Sequence, residues 1–137
     1  MSDAVIPQVE LDFMNTDHAA ATSQINALDM LLSLVAEGDQ ESLDTVEATL
    51  QSVYQHSVEH FSREEAEMVR VGFPAYGCHK GEHERVLEEL RAILQEWQQN
   101  KDINLLQNYV RNTLPGWLQA HVETMDTVTA MFVASRG

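Results

Sequence analysis

Cys78 is the only cysteine in this 137-residue chain. That excludes an intrachain disulfide and a thiolate-rich zinc cage. Cationic side chains are also scarce: eight Lys and Arg stand against 22 Asp and Glu, a formal charge of −14. Nucleic acids and anionic membranes are held by Lys/Arg patches, so neither is an expected partner. No run of about 20 apolar residues, the length of a membrane helix, stands out. The opening stretch MSDAVIPQVELDF carries three acids and no Lys or Arg. It is unlike a secretory leader, and a cytoplasmic location is the expectation. Strand-like alternation, internal repeats, low-complexity tracts and signs of a second domain are also lacking. The acidic balance suits a cation-binding protein, but acidic proteins without metals are common.

What is present is helical periodicity. Ile25, Leu28, Leu31, Leu32 and Val35 recur at three- and four-residue spacing, which predicts a helix from about Asn15 to Ala36. Gly38 then reads as the residue just past its end. A second helix is expected over residues 40–71, closed by Gly72-Phe73-Pro74, because the residue before a proline disfavours helical geometry. A third is expected over 77–99, with Val86, Leu90, Leu94 and Trp97 inward. A fourth starts at Asp102, a plausible N-cap, and runs to about Ala134, with a kink or restart at Pro115-Gly116. Four helices with short connections predict a single all-α domain over residues 1–137. It is read as an antiparallel up-down four-helix bundle, about 15–134, with a short N-terminal arm.

The chemistry-bearing residues are histidines. All six fall on these helices, and five of them combine with two carboxylates. His79 and His83 are four apart on the third helix and share a face; His60 and Glu64 have the same spacing on the second. His121 precedes Asp126 by five on the fourth, and His18 stands alone on the first. A lone helical histidine is usually a surface or hydrogen-bonded residue. Seven donors spread over four helices among apolar residues are different, because burying so many polar groups without partners costs several kcal/mol. A metal supplies the partner.

Seven donors are too many for one ion. If Glu64 and Asp126 each bridge two ions, they fill four positions, and five imidazoles bring the count to nine. A bridging oxo or hydroxo group makes eleven of the twelve positions of two octahedral ions. One position stays open for a small ligand. Imidazole and carboxylate without thiolate suit iron, manganese or zinc, and carboxylate-bridged pairs in helical bundles favour iron or manganese. Cys78 adjoins His79 but is turned about 100° around the helix; an inert packed or surface thiol is expected.

The stretches His60-Phe61-Ser62-Arg63-Glu64-Glu65, His79-Lys80-Gly81-Glu82-His83, and Trp117-Leu118-Gln119-Ala120-His121 followed by Asp126 resemble the hemerythrin family, in order and in spacing. The resemblance spans about Leu11 to Phe132. It implies two iron ions with an oxo or hydroxo bridge, one held by His79, His83 and His121 and the other by His18 and His60, with Glu64 and Asp126 bridging. It further implies reversible O₂ binding, for transport, storage or sensing, at the open position of the His18/His60 iron. Azide, NO and peroxide are related small ligands. Phe61, Trp117 and Leu118 become pocket candidates, although core packing explains Phe61 equally well.

His56 lies outside the family's ligand pattern. It sits one turn before His60, about 6 Å along the axis. Either it lines the ligand pocket, or it is bonded to water, Glu59 or Glu123. A di-iron redox enzyme and an iron-buffering protein are the alternative functions. Five neutral imidazoles favour O₂ binding over carboxylate-rich oxidase chemistry, so no catalytic residues are expected. A sensor or redox role would need a separate partner.

Overall fold

The computed structural model describes residues 6–137. Four long helices account for most of it, and there is no strand among the described residues. Helix α1 is Asp12–Ala36, α2 is Glu41–Val71 and α3 is Tyr76–Asn100. Helix α4 covers residues 103–135. Helix α1 packs on α2, α2 on α3, and α4 closes against α1 with its first half and α2 with its last turns. Residues 1–5 of the expected arm lie outside the described residues. Ile6 and Val9 of its remainder pack partly against the core, and Val9 is clipped to Asn15 through both its N–H and its carbonyl, at 2.8 and 2.9 Å.

The ends of the helices follow local chemistry. Gly38 takes a φ of 103°, a left-handed setting that favours glycine. The N–H of Asp39 then reaches back to the Leu34 carbonyl at 3.0 Å and that of Gly38 to Val35 at 3.0 Å, which satisfies two carbonyls the helix leaves free. Asp102 caps α4, its carboxylate accepting from the Leu105 N–H at 3.1 Å.

The structure refines the reading of two helices. The α-helical pattern of α4 is interrupted just before Pro115 and resumes at Leu114 with the proline in its first turn. The helix runs on through a π turn, Tyr109–Thr113, placed just before the proline. A proline ring clashes with the carbonyl four residues earlier, and a π turn widens that row. Helix α1 has the length and composition of a membrane span, but Asn26 and Asp29 interrupt its apolar run. Ile25, Leu28, Leu32 and Val35 enter the core, while Met30 and Leu34 stay exposed.

One core fills the middle of the bundle, built from Leu28, Leu32, Val46, Leu50, Leu90, Trp97, Leu106 and Val110. Full burial of such a side chain contributes about 1.5–3 kcal/mol. The packed core ends where the buried polar groups begin: Asp17, His18, His60, Glu64, His79, His83, His121, Asp126 and Thr129 are all buried.

Candidate metal centre

Each helix contributes to one buried cluster. His60 and Glu64 are one turn apart on α2, and His79 and His83 one turn apart on α3. His121 and Asp126 are five apart, a spacing that in an α-helix leaves them about 140° out of line. A second π turn, Val122–Asp126, corrects this. Its i→i+5 bond brings the Thr127 N–H to the Val122 carbonyl, and the Thr127 hydroxyl donates to the same carbonyl at 2.7 Å. The wide turn swings Asp126 to the side of His121, and 3.1 Å separates His121 Nε2 from Asp126 Oδ1.

The donors fall into two groups that share their carboxylates. Glu64, His79, His83, His121 and Asp126 form one; His18, His60, Glu64 and Asp126 form the other. Each carboxylate divides its oxygens between them. Glu64 Oε2 faces His60 Nε2 at 2.8 Å and His18 Nε2 at 3.7 Å, while Oε1 faces His83 Nε2 at 3.2 Å and His79 Nε2 at 3.6 Å. Asp126 Oδ2 lies 2.9 Å from His18 Nε2, and Oδ1 lies 3.0 Å from His79 Nε2.

These groups crowd together without satisfying one another. Among the described residues, both Glu64 oxygens, Asp126 Oδ1 and His83 Nε2 are buried and have no hydrogen-bond partner. Orphaned buried acceptors cost about 1–3 kcal/mol each. Lone pairs converging on shared points are what a cation requires, so the donor set fits a metal.

The histidines are oriented from behind. His60 Nδ1–H donates to Asp17 Oδ2 at 2.8 Å, His79 Nδ1–H to the Thr129 hydroxyl at 2.8 Å, and His83 Nδ1–H to Glu65 Oε2 at 2.9 Å. Such links fix the tautomer that leaves Nε2 free for a metal. Asp17, Thr129 and the link made by Glu65 were not found by reasoning on the sequence. The available signals were adjacency, Asp17 to His18 and Glu65 to Glu64, but adjacency does not reveal a contact across helices. His121 is held by stacking instead, its ring 4.6 Å from that of Trp117 at 18°. Trp117 is itself tied to Glu82 by a 2.6 Å bond from its indole N–H.

Electrostatics follow from the crowding. Burial raises the pKa of the Glu64 carboxyl, but the imidazoles of His18, His60 and His83 beside it outweigh that effect and hold the carboxyl well below its usual range. Asp126 is lowered likewise by His121, His18 and His79 against the effect of burial. Burial lowers His18, yet Asp126 and Glu64 beside it raise it to about 9.

A cavity of about 30 Å³ adjoins the group that contains His18 and His60. Its walls include both histidines, His56, Phe61, Trp117 and Leu118. A single water needs about 10–15 Å³, so the space is of diatomic size. Phe61 also stacks on His83 at 4.0 Å and 5°, so it serves packing and pocket together. His56 is bonded to neither Glu59 nor Glu123; its Nε2–H donates to the Asp17 carbonyl at 3.2 Å. Cys78 is exposed and free.

A helical bundle closed around buried histidines and paired carboxylates defines a metal-binding domain. Residues 9–132 match the model of the Hemerythrin HHE cation binding domain, and the chain belongs to the hemerythrin family. It is 31% identical over 123 residues to a bacteriohemerythrin of Ralstonia nicotianae, covering 90% of this chain and 81% of that protein. A bacteriohemerythrin of Aquifex aeolicus is 27% identical over 119 residues, covering 86% of each chain. No solved structure matches significantly.

Proposed function

We propose that the chain binds O₂ reversibly at a pair of iron ions. His79, His83 and His121 would hold one ion and His18 and His60 the other, with Glu64 and Asp126 shared. The division of each carboxylate's two oxygens between the two histidine groups carries this reading. Three imidazoles on one side and two on the other leave the open position on the His18/His60 side. The cavity lies on that side too, and the irons, when bound, supply the electrons and the open position for O₂.

The chain's own residues do the rest. Phe61, Val86, Leu114 and Leu118 give the cavity a largely hydrocarbon wall. Asp17 and Thr129 hold His60 and His79 in the tautomer that presents Nε2. His56 lines the wall while its Nε2–H is committed to the Asp17 carbonyl. The short connections after each helix support an up-and-down antiparallel course, and the continuous core supports one domain.

The test is to load the chain with iron, reduce it without air, admit O₂ and follow the visible spectrum under cycles of vacuum. Two irons per chain and a band that returns on each cycle are expected. Failure to hold two irons, or immediate bleaching without recovery, would refute the proposal.

A further inference from the structure

We propose that Asp17 and Arg63 together set the electron-donating strength of His60, and thereby the reduction potential of the His18/His60 side. The inference rests on the di-iron reading above. His79 leans on a neutral hydroxyl and His83 on the Glu65 carboxylate. His60 leans on a carboxylate oxygen that is itself gripped by a guanidinium. Asp17 Oδ2 receives His60 Nδ1–H at 2.8 Å, Arg63 Nε–H at 3.0 Å and an Arg63 Nη2 hydrogen at 2.6 Å.

The placement is enforced by both helices. Arg63 follows His60 by three residues on α2, so both face α1, and the Asp17 side chain enters between them. The Asp17 carbonyl takes His56 as well, at 3.2 Å, which ties this turn of α1 to α2 at a second point. The Asp17 side chain is 13% exposed, whereas that of Arg63 is 47% exposed. The negative charge therefore sits near the centre and its counter-charge reaches solvent.

A carboxylate that accepts an imidazole N–H draws the proton toward itself and leaves the far nitrogen a stronger donor. Stronger donation favours the more oxidised metal. Arg63 competes for the same oxygen and weakens that pull. Two donors that compete for one oxygen make a prediction about sign. Asp17→Asn keeps an acceptor for His60 but removes the charge, so the potential rises. Arg63→Gln removes the competitor, so the potential falls.

The experiment loads the wild-type chain and four variants with iron and measures potentials by optical redox titration. Affinity for Co²⁺ serves as a second readout that involves neither O₂ nor electron transfer. D17N is expected to raise the potential and weaken Co²⁺ binding about 10–100-fold. R63Q is expected to lower the potential, and R63K to restore the wild-type value. R70Q removes an equal charge from the same helix, where Arg70 pairs, among the described residues, with Glu67 at 2.9 Å, and should change nothing. Shifts of the same sign in D17N and R63Q, no shift in either, or an R70Q shift as large as that of R63Q would overturn the proposal. Should D17N fail to fold, the contrast of R63Q with R63K and R70Q decides alone. A wild-type chain that holds no iron pair defeats the di-iron reading instead, and is told apart by metal analysis before any titration.

Discussion

His18 shows how much of the centre's behaviour resides in single side chains. Its pKa, raised to about 9 by Asp126 and Glu64 against the pull of burial, stabilises the metal-free fold when the ring is protonated. A raised histidine contributes fully below its ordinary 6.5 and loses that contribution as pH rises through about 9. Glu64 and Asp126, both lowered, act oppositely: their contribution is complete above the ordinary carboxylate range, near 4.5 and 3.8, and is lost as pH falls through their depressed values. The metal-free protein should therefore be most stable between about pH 4.5 and 6.5. Its urea midpoint should be lower at about pH 9.5 than at about pH 6. Metal needs the neutral ring, so loading near neutrality releases protons, and the alkaline fall should vanish in the loaded protein. Among single residues, the histidines and carboxylates were legible in sequence because their spacing marks helix faces. Asp17 and Thr129 were not, since their contacts join residues 43 and 50 positions apart.

At the scale of the element, α4 departs furthest from what periodicity foretold. Helices α1, α2 and α3 end within a few residues of their expected limits, because Gly38, Gly72-Phe73-Pro74 and the turn after Asn100 punctuate them. The N-terminal limit of α1 is Asp12 rather than Asn15; the apolar stripe starts later than the helix does. In α4 the two π turns, Tyr109–Thr113 and Val122–Asp126, carry no residue type that announces them. One of them relieves Pro115. The other brings Asp126 beside His121. Deleting the exposed Glu123 leaves His121 and Asp126 four apart, a spacing that an ordinary α-helix puts only about 40° out of line, so the wide turn is no longer needed. Circular dichroism should show helix content retained, and metal analysis should still show two ions per chain; loss of metal would mean that the wide turn does more than align the two ligands.

Across the whole molecule, the class of fold was readable because four amphipathic stretches with short connections leave few other ways to bury their apolar faces. What the pattern could not reveal is the distribution of exposure around the centre. Glu64 and His83 show no surface at all, and His18 and His79 show 2% each. A hydrated ion has no direct route to such ligands. Metal must enter while helices part, so the rate of loading is bounded by the rate of opening, and local opening is steeply temperature-dependent. Loading followed by stopped flow should reach a plateau as metal concentration rises, and a cavity-forming change such as Leu90→Ala, which loosens the core by about 2–5 kcal/mol, should raise that plateau. A rate that climbs in proportion to metal concentration without limit would refute this gating. The dry interior that shelters the ligands thus also sets a clock: how long an ion stays in a finished molecule is a matter of how often the bundle breathes.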